Sequence, residues 1–263
     1  MKTMLISLVL LVSIGSTAAE AKVKTMPVEY TEGTTVLEGY LAYDDAAVGR
    51  GKLPGILVVH AWMGIDDNAK RRAELLAGMG YVAFVADIYG KGVRPKDRDE
   101  ASKQAGTYKK DRALLRKRVT AGLAALLARK EVDASKTAAI GYCFGGTTVL
   151  ELARSGAKVG GVVSFHGGLD SPAPADGKNI KSRVLVLHGA SDKGISDADK
   201  LAFEKELTDA KVDWQLVEYG GAVHCFTHKD AGNDPSKGCA YDARADTRSW
   251  AAMKTFFDEI FKT

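Results

Sequence analysis

The chain has 263 residues, 46% of them hydrophobic and 27% charged, with only six prolines. This composition excludes a disordered, collagen-like or disulfide-scaffold protein and supplies enough apolar side chains for a full core. The formal charge of +4 is spread over mixed runs such as Arg94-Pro95-Lys96-Asp97-Arg98-Asp99-Glu100, far from the basic footprint of a nucleic-acid-binding protein.

The first 21 residues read as a signal peptide. Met1 and Lys2 make a short positive start, Met4 to Ile14 is mostly apolar, and Ala19-Glu20-Ala21 forms an A-x-A cleavage site before Lys22. The expectation is a secreted, periplasmic protein whose mature part, residues 22–263, is one domain. The apolar stretch is too short to span a bilayer and no later segment reads as transmembrane, so no membrane association is expected after cleavage.

Val28 to Tyr43 carries two β-rich runs around Glu32-Gly33, which predicts an antiparallel hairpin at a sheet edge. Short apolar runs follow at Ile56–Val59, Val82–Val85, Gly161–Val163, Val184–Leu187 and Trp214–Val217. Most lack period-two alternation, as strands buried on both faces of a parallel sheet do. Between them, helical periodicity covers about 67–79, 98–129, 145–155, 197–210 and 244–261. Alternating β and α segments of this kind predict an α/β fold with a doubly wound, mostly parallel sheet. Gly90 to Lys110 reads as a charged lid after a strand end, and Gly220 to Asp242 as a long functional loop.

Gly141-Tyr142-Cys143-Phe144-Gly145 has the G-x-nucleophile-x-G spacing of a nucleophile elbow, with a thiol at the reactive position. At such a turn a strand enters a helix so sharply that residues two places away on either side must be small. The bland alternative is a glycine-rich turn around a structural cysteine. A nucleophile needs a base, and the base an orienting carboxylate. Asp192 follows the strand ending near Leu187, and His224 follows the last strand and its glycine turn, so both stand in the order nucleophile, acid, histidine. Backbone donors for an oxyanion are expected at Phe144, directly after the nucleophile, and at Trp62, in the loop after the strand ending near His60. His60 and His188 read as packing residues, and Met63, Tyr89 and His166 as bounding the substrate pocket. His224 and His228 have H-x-x-x-H spacing but lie in a loop without paired cysteines, so neither metal nor cofactor is expected.

Three cysteines occur. With Cys143 assigned to the elbow, Cys225 and Cys239 are the natural disulfide pair of an exported protein.

Gly141-Tyr142-Cys143-Phe144-Gly145-Gly146, Asp192 after His188-Gly189-Ala190-Ser191, Gly221-Ala222-Val223-His224 and Asp87-Ile88-Tyr89-Gly90 together resemble the dienelactone hydrolase family of α/β-hydrolases. The resemblance runs from about Gly55 to Phe261. It implies an α/β-hydrolase fold, a Cys143–Asp192–His224 triad, and hydrolysis of a small ester or lactone. Three positions depart from it. The family's glutamate beside the cysteine is Ala61 here, and its two substrate-binding arginines are Lys91 and His228, neither of which can form a bidentate fork. The family thus implies Lys91 and His228 as substrate contacts of altered chemistry. A monomer or small homo-oligomer is expected. The rival reading is a non-hydrolytic redox or binding protein in which Cys143 pairs with Cys225.

Overall fold

The computed structural model describes residues 22–262, so the signal-peptide reading of residues 1–21 lies outside the described residues. Eight strands form one sheet in the order β1-β2-β4-β3-β5-β6-β7-β8. Strands β1 (Val23–Glu32) and β2 (Thr35–Asp44) make the expected edge hairpin, turning at Gly33 with φ 54°. β2 pairs antiparallel with β4 (Val82–Ala86). All remaining pairs are parallel: β4 with β3 (Leu53–Val59), then β5 (Val132–Tyr142), β6 (Gly161–Phe165), β7 (Arg183–Gly189) and β8 (Trp214–Tyr219).

Alternate residues of one strand serve opposite cores. In β3, Leu57 and Val59 pack with Leu115, Val119, Leu152 and Phe203, while Ile56 and Val58 pack with Ala73, Leu76 and Phe257. Both sets are fully buried or nearly so, which is why the run shows no period-two alternation in sequence. A short helix α1 (Asp45–Val48) leaves the hairpin. Helices α2 (Asp67–Gly78) and α7 (Ala243–Phe261) cover one face; α4 (Arg112–Leu127), α5 (Phe144–Arg154) and α6 (Asp197–Asp209) cover the other.

The periodic segment read over 98–129 is two helices, not one. Asp111 ends α3 (Arg98–Lys110), and its carboxylate accepts the Leu114 N–H at 2.9 Å to start α4. The lid segment is thus largely helical, with Ala101, Ala105 and Tyr108 buried against the core.

One buried ionic cluster ties the helices of the second face together. Arg154, 1% exposed, bonds both Glu206 oxygens at 2.7 and 2.8 Å and Glu151 at 3.0 Å. Arg116 of α4 bonds the other Glu151 oxygen at 2.8 Å. Such a cluster adds little net stability, but each member is costly to remove alone.

Candidate active site

The carboxyl ends of β3, β5, β6, β7 and β8 deliver the loops of the site. Cys143 sits between β5 and α5 with φ 55° and ψ −114°, a conformation that side-chain-bearing residues rarely adopt. It is held there by strand and helix at once: its N–H donates to Phe165 at 3.0 Å and its C=O accepts from Gly146 at 3.0 Å. The glycine requirement read from the sequence has a direct steric cause. A Cβ on Gly141 would collide with the Gly145 carbonyl, and one on Gly145 with the Val59 carbonyl.

The loops after β7 and β8 run side by side, because Ala190 N–H donates to Tyr219 C=O and Ser191 N–H to Ala222 C=O. This brings Asp192 and His224 together across 32 residues of sequence. His224 Nδ1–H donates to Asp192 Oδ2 at 2.7 Å, while the other carboxylate oxygen accepts the Gly194 N–H at 2.8 Å. On the far side of the ring, His224 Nε2 lies 3.1 Å from Cys143 Sγ.

Burial alone would push the Cys143 thiol up and the His224 imidazolium down. Both shift the other way. The charge and hydrogen bond of His224, the Phe144 N–H and Lys109 hold Cys143 below its ordinary range. The Cys143 thiolate and Asp192 raise His224 to about 10. Asp192 is lowered against its own burial by His224 and the Gly194 N–H. Each group thus favours the charged form of the other, thiolate on Cys143 and imidazolium on His224.

The other expected residues divide. Trp62 lies half-buried on the loop after β3 against the core cluster that includes Phe144. Its carbonyl accepts the Tyr89 hydroxyl at 2.9 Å, and the Arg98 guanidinium covers its ring. Met63 is half-buried beside it. Tyr89 is a prop rather than a pocket wall: it is buried, and its ring packs on His60 and Phe144. His60 takes the packing role expected of it, donating from Nδ1 to Ala61 C=O at 2.6 Å and accepting the Ile88 N–H at Nε2.

Three of the expected substrate contacts lie apart from the residues that line the cleft beside Cys143. His166 is fully buried behind His224, with ring centroids 5.1 Å apart, and bonds Thr227 Oγ1 at 2.8 Å. His228 lies on that same inner side, against Tyr142 and His166, with Asn68 Nδ2 at 3.4 Å; burial and the nearby Arg72 lower it to about 4. Lys91 turns outward onto the hairpin, where it pairs with Glu29 and Glu38. Charge complementarity with β1 and β2 outcompetes the cleft for this lysine.

The cleft around Cys143 has a volume of about 390 Å3 and is walled instead by Arg98, Lys109 and Lys237, with Asp192 and His224 at its floor. Sequence reading missed these three cations. A signal existed for two of them: Arg98 and Lys109 stand eleven residues apart on α3, three helical turns, and so share a face. The third lies on the Gly220–Asp242 loop, beside the Cys225–Cys239 disulfide; Cys143 is a free thiol.

The chain is similar to known proteins over most of its length. A solved structure titled m3DLH is 42% identical, covers 91% of this chain and 99% of its own, and superposes with a TM-score of 0.87. A dienelactone hydrolase-like promiscuous phosphotriesterase from metagenomic libraries is 42% identical over 90% of this chain and 98% of its own, with a TM-score of 0.85. The protein named "Probable 2-oxo-3-(5-oxofuran-2-ylidene)propanoate lactonase" from Bradyrhizobium is 28% identical over 77% of this chain and 85% of its own length. The sheet and its flanking helices are those of the α/β-hydrolase fold. With the dienelactone hydrolase family model matching residues 37–261, the chain belongs to the dienelactone hydrolase family, whose members hydrolyse carboxylic esters and lactones.

Proposed function

We propose that Cys143, His224 and Asp192 form the catalytic triad of an exported hydrolase that cleaves a small ester or lactone through a thioester acyl-enzyme. The observation that carries this reading is the continuous chain from Asp192 Oδ2 through both ring nitrogens of His224 to Cys143 Sγ, at 2.7 and 3.1 Å. The Cys143 thiolate attacks the carbonyl carbon, and the oxyanion is taken up by the backbone N–H groups of Phe144 and Trp62. Collapse of the tetrahedral species forms the thioester and expels the alcohol, which takes its proton from His224 Nε2. Water then enters; His224 removes its proton as the hydroxide adds to the thioester, and the acid leaves with Cys143 returned as thiolate. Asp192 keeps the imidazole in the required tautomer throughout. Ala61 places no carboxylate against the thiol, which is consistent with an ion pair at rest.

Arg98, Lys109 and Lys237 favour an ester that carries a carboxylate of its own, since among the described residues that line the cleft Asp192 is the one carboxylate, and it is paired with His224. Export is supported by the leader at residues 1–21 and by the Cys225–Cys239 bond, because disulfides persist in oxidising compartments. The rival redox reading needs Cys143 joined to Cys225, and Cys225 is bonded to Cys239 instead. Turnover of p-nitrophenyl esters by wild type and Cys143→Ala tests the nucleophile. Full turnover by Cys143→Ala would remove it. A panel of neutral and carboxylated esters, lactones, thioesters and an aryl phosphotriester, the last prompted by the similarity to the promiscuous phosphotriesterase, then sets the substrate class.

A further inference from the structure

The Gly220–Asp242 loop returns to the residue it presents. After His224 the chain passes through short helical turns at Lys229–Ala231 and Pro235–Lys237, then lays Cys239 beside His224 in a parallel bridge. Ala240 N–H donates to the His224 carbonyl at 3.0 Å, and Asp242 N–H to the Phe226 carbonyl at 3.1 Å. Every residue of the returning stretch 232–238 is exposed, so burial does not hold it against the site. The covalent tie is the Cys225–Cys239 disulfide, one residue past His224, with Cα atoms 5.1 Å apart. Cys225 itself has φ 63°, a left-handed conformation unfavourable for any residue with a Cβ, so the backbone beside His224 is held against its local preference. Lys237, Gly238 and Cys239 at the end of this stretch wall the cleft.

We propose that the Cys225–Cys239 disulfide is a positioning element for His224, and that reducing it lowers turnover while Cys143 remains a free thiol. The proposal rests on the reading in which Cys143 is the nucleophile and His224 its base. Its sign is opposite to that expected of a cysteine hydrolase, in which a reductant only protects the nucleophile. In the reductive step a thiolate of a dithiol attacks Sγ of Cys239, a residue that lines the cleft. The S–S bond breaks and Cys225 leaves as a thiolate that takes up a proton. The dithiol's second thiolate then displaces Cys239 and closes a cyclic disulfide, so two electrons pass from reductant to protein. Once released, the exposed stretch no longer braces the His224 backbone. The His224 ring then drifts from Cys143, and its 3.1 Å contact with Sγ is no longer held.

The test uses the mature chain, oxidised and after dithiol treatment. Thiols are counted under denaturing conditions, and rise from one to three when the bond is reduced. The expected result is a fall in kcat of about tenfold, as for other small displacements of a reacting group, with KM changing less. The pH profile of Cys143 alkylation, followed by peptide mapping, moves to higher pH because the imidazolium no longer sits beside the sulfur. That profile is set by His224, Lys109 and Tyr89 facing Cys143, and by Asp192, His166, His188 and His228 facing His224. Reoxidation restores both readouts, and the Cys225→Ser/Cys239→Ser double variant reproduces the reduced values without reductant. Three thiols with unchanged kcat and unchanged profile would overturn the proposal, as would loss of the folded circular-dichroism spectrum on reduction, which would make the bond a stabiliser only. Failure of the underlying reading is seen separately, as turnover surviving in Cys143→Ala.

Discussion

Asp192→Asn isolates what the carboxylate does for the site. The side chain is buried, and its two oxygens have separate duties: Oδ1 accepts the Gly194 N–H at 2.8 Å and Oδ2 accepts the His224 Nδ1–H at 2.7 Å. Asparagine fits the same space and keeps the Gly194 bond with its carbonyl oxygen. Its amide nitrogen must then face Nδ1, which turns His224 to the tautomer with its proton on Nε2. That proton points at Cys143 Sγ, 3.1 Å away, and the atom that should receive the thiol proton is already occupied. Loss of the negative charge also removes one of the causes holding His224 at about 10. By analogy with tautomer reversal in other triads, kcat should fall about 10³–10⁴-fold, equivalent to ~4–5.5 kcal/mol of barrier. The assay is steady-state hydrolysis of a p-nitrophenyl ester, with iodoacetamide labelling of Cys143 at pH 7 as a second readout. Labelling should slow because less of the thiol is ionised. A variant within tenfold of wild type in kcat would refute the tautomer argument.

The pH dependence of kcat/KM should be bell-shaped. It rises as Cys143 ionises, with a midpoint below the ordinary thiol range, and falls as His224 loses its proton near about 10; a rate that still climbs above pH 10 would contradict the ion pair. Arg154→Met leaves Glu151 and Glu206 buried without their shared cation and should destabilise the fold by about 3–5 kcal/mol. Thermal denaturation should show this as a Tm lower by about 10 °C, and a shift under 2 °C would argue against it. Tyr89→Phe removes the hydroxyl that holds the Trp62 carbonyl, so kcat should drop about threefold to tenfold, while Tm changes little. Lys237→Ala should raise KM several-fold for a carboxylated ester and leave a neutral ester unaffected, an effect that added salt diminishes.

Order and spacing along the chain carried the fold and the centre of the site. The parallel strands appear as apolar runs because both faces of the sheet are covered, and Cys143, Asp192 and His224 are identifiable because each follows such a run. What lay beyond the sequence was the direction in which side chains point. Lys91, His166 and His228 are near the site in sequence terms, yet Lys91 is claimed by Glu29 and Glu38, His166 by Thr227, and His228 packs against Tyr142. The cations that do face the cleft arrive from α3 and from the end of a loop whose path is fixed by a disulfide and a few backbone bonds. The break at Asp111 was hidden for a related reason: periodicity continues through it, and only the Leu114 N–H bond reveals that one helix has ended and another begun.

The steric frame of the elbow has an evolutionary consequence. A single base change converts a cysteine codon to serine, and position 143 has room for either side chain, so the reacting atom can be exchanged in one step. Gly141 and Gly145 have no such freedom, because each faces a main-chain carbonyl that cannot swing aside for even one methyl group. Mutation can therefore explore sulfur against oxygen, or lysine against other residues along the cleft, while the turn that presents the nucleophile stays fixed. In this protein the chemistry is the part free to drift, and the two hydrogens that stand where side chains would be are the part that is not.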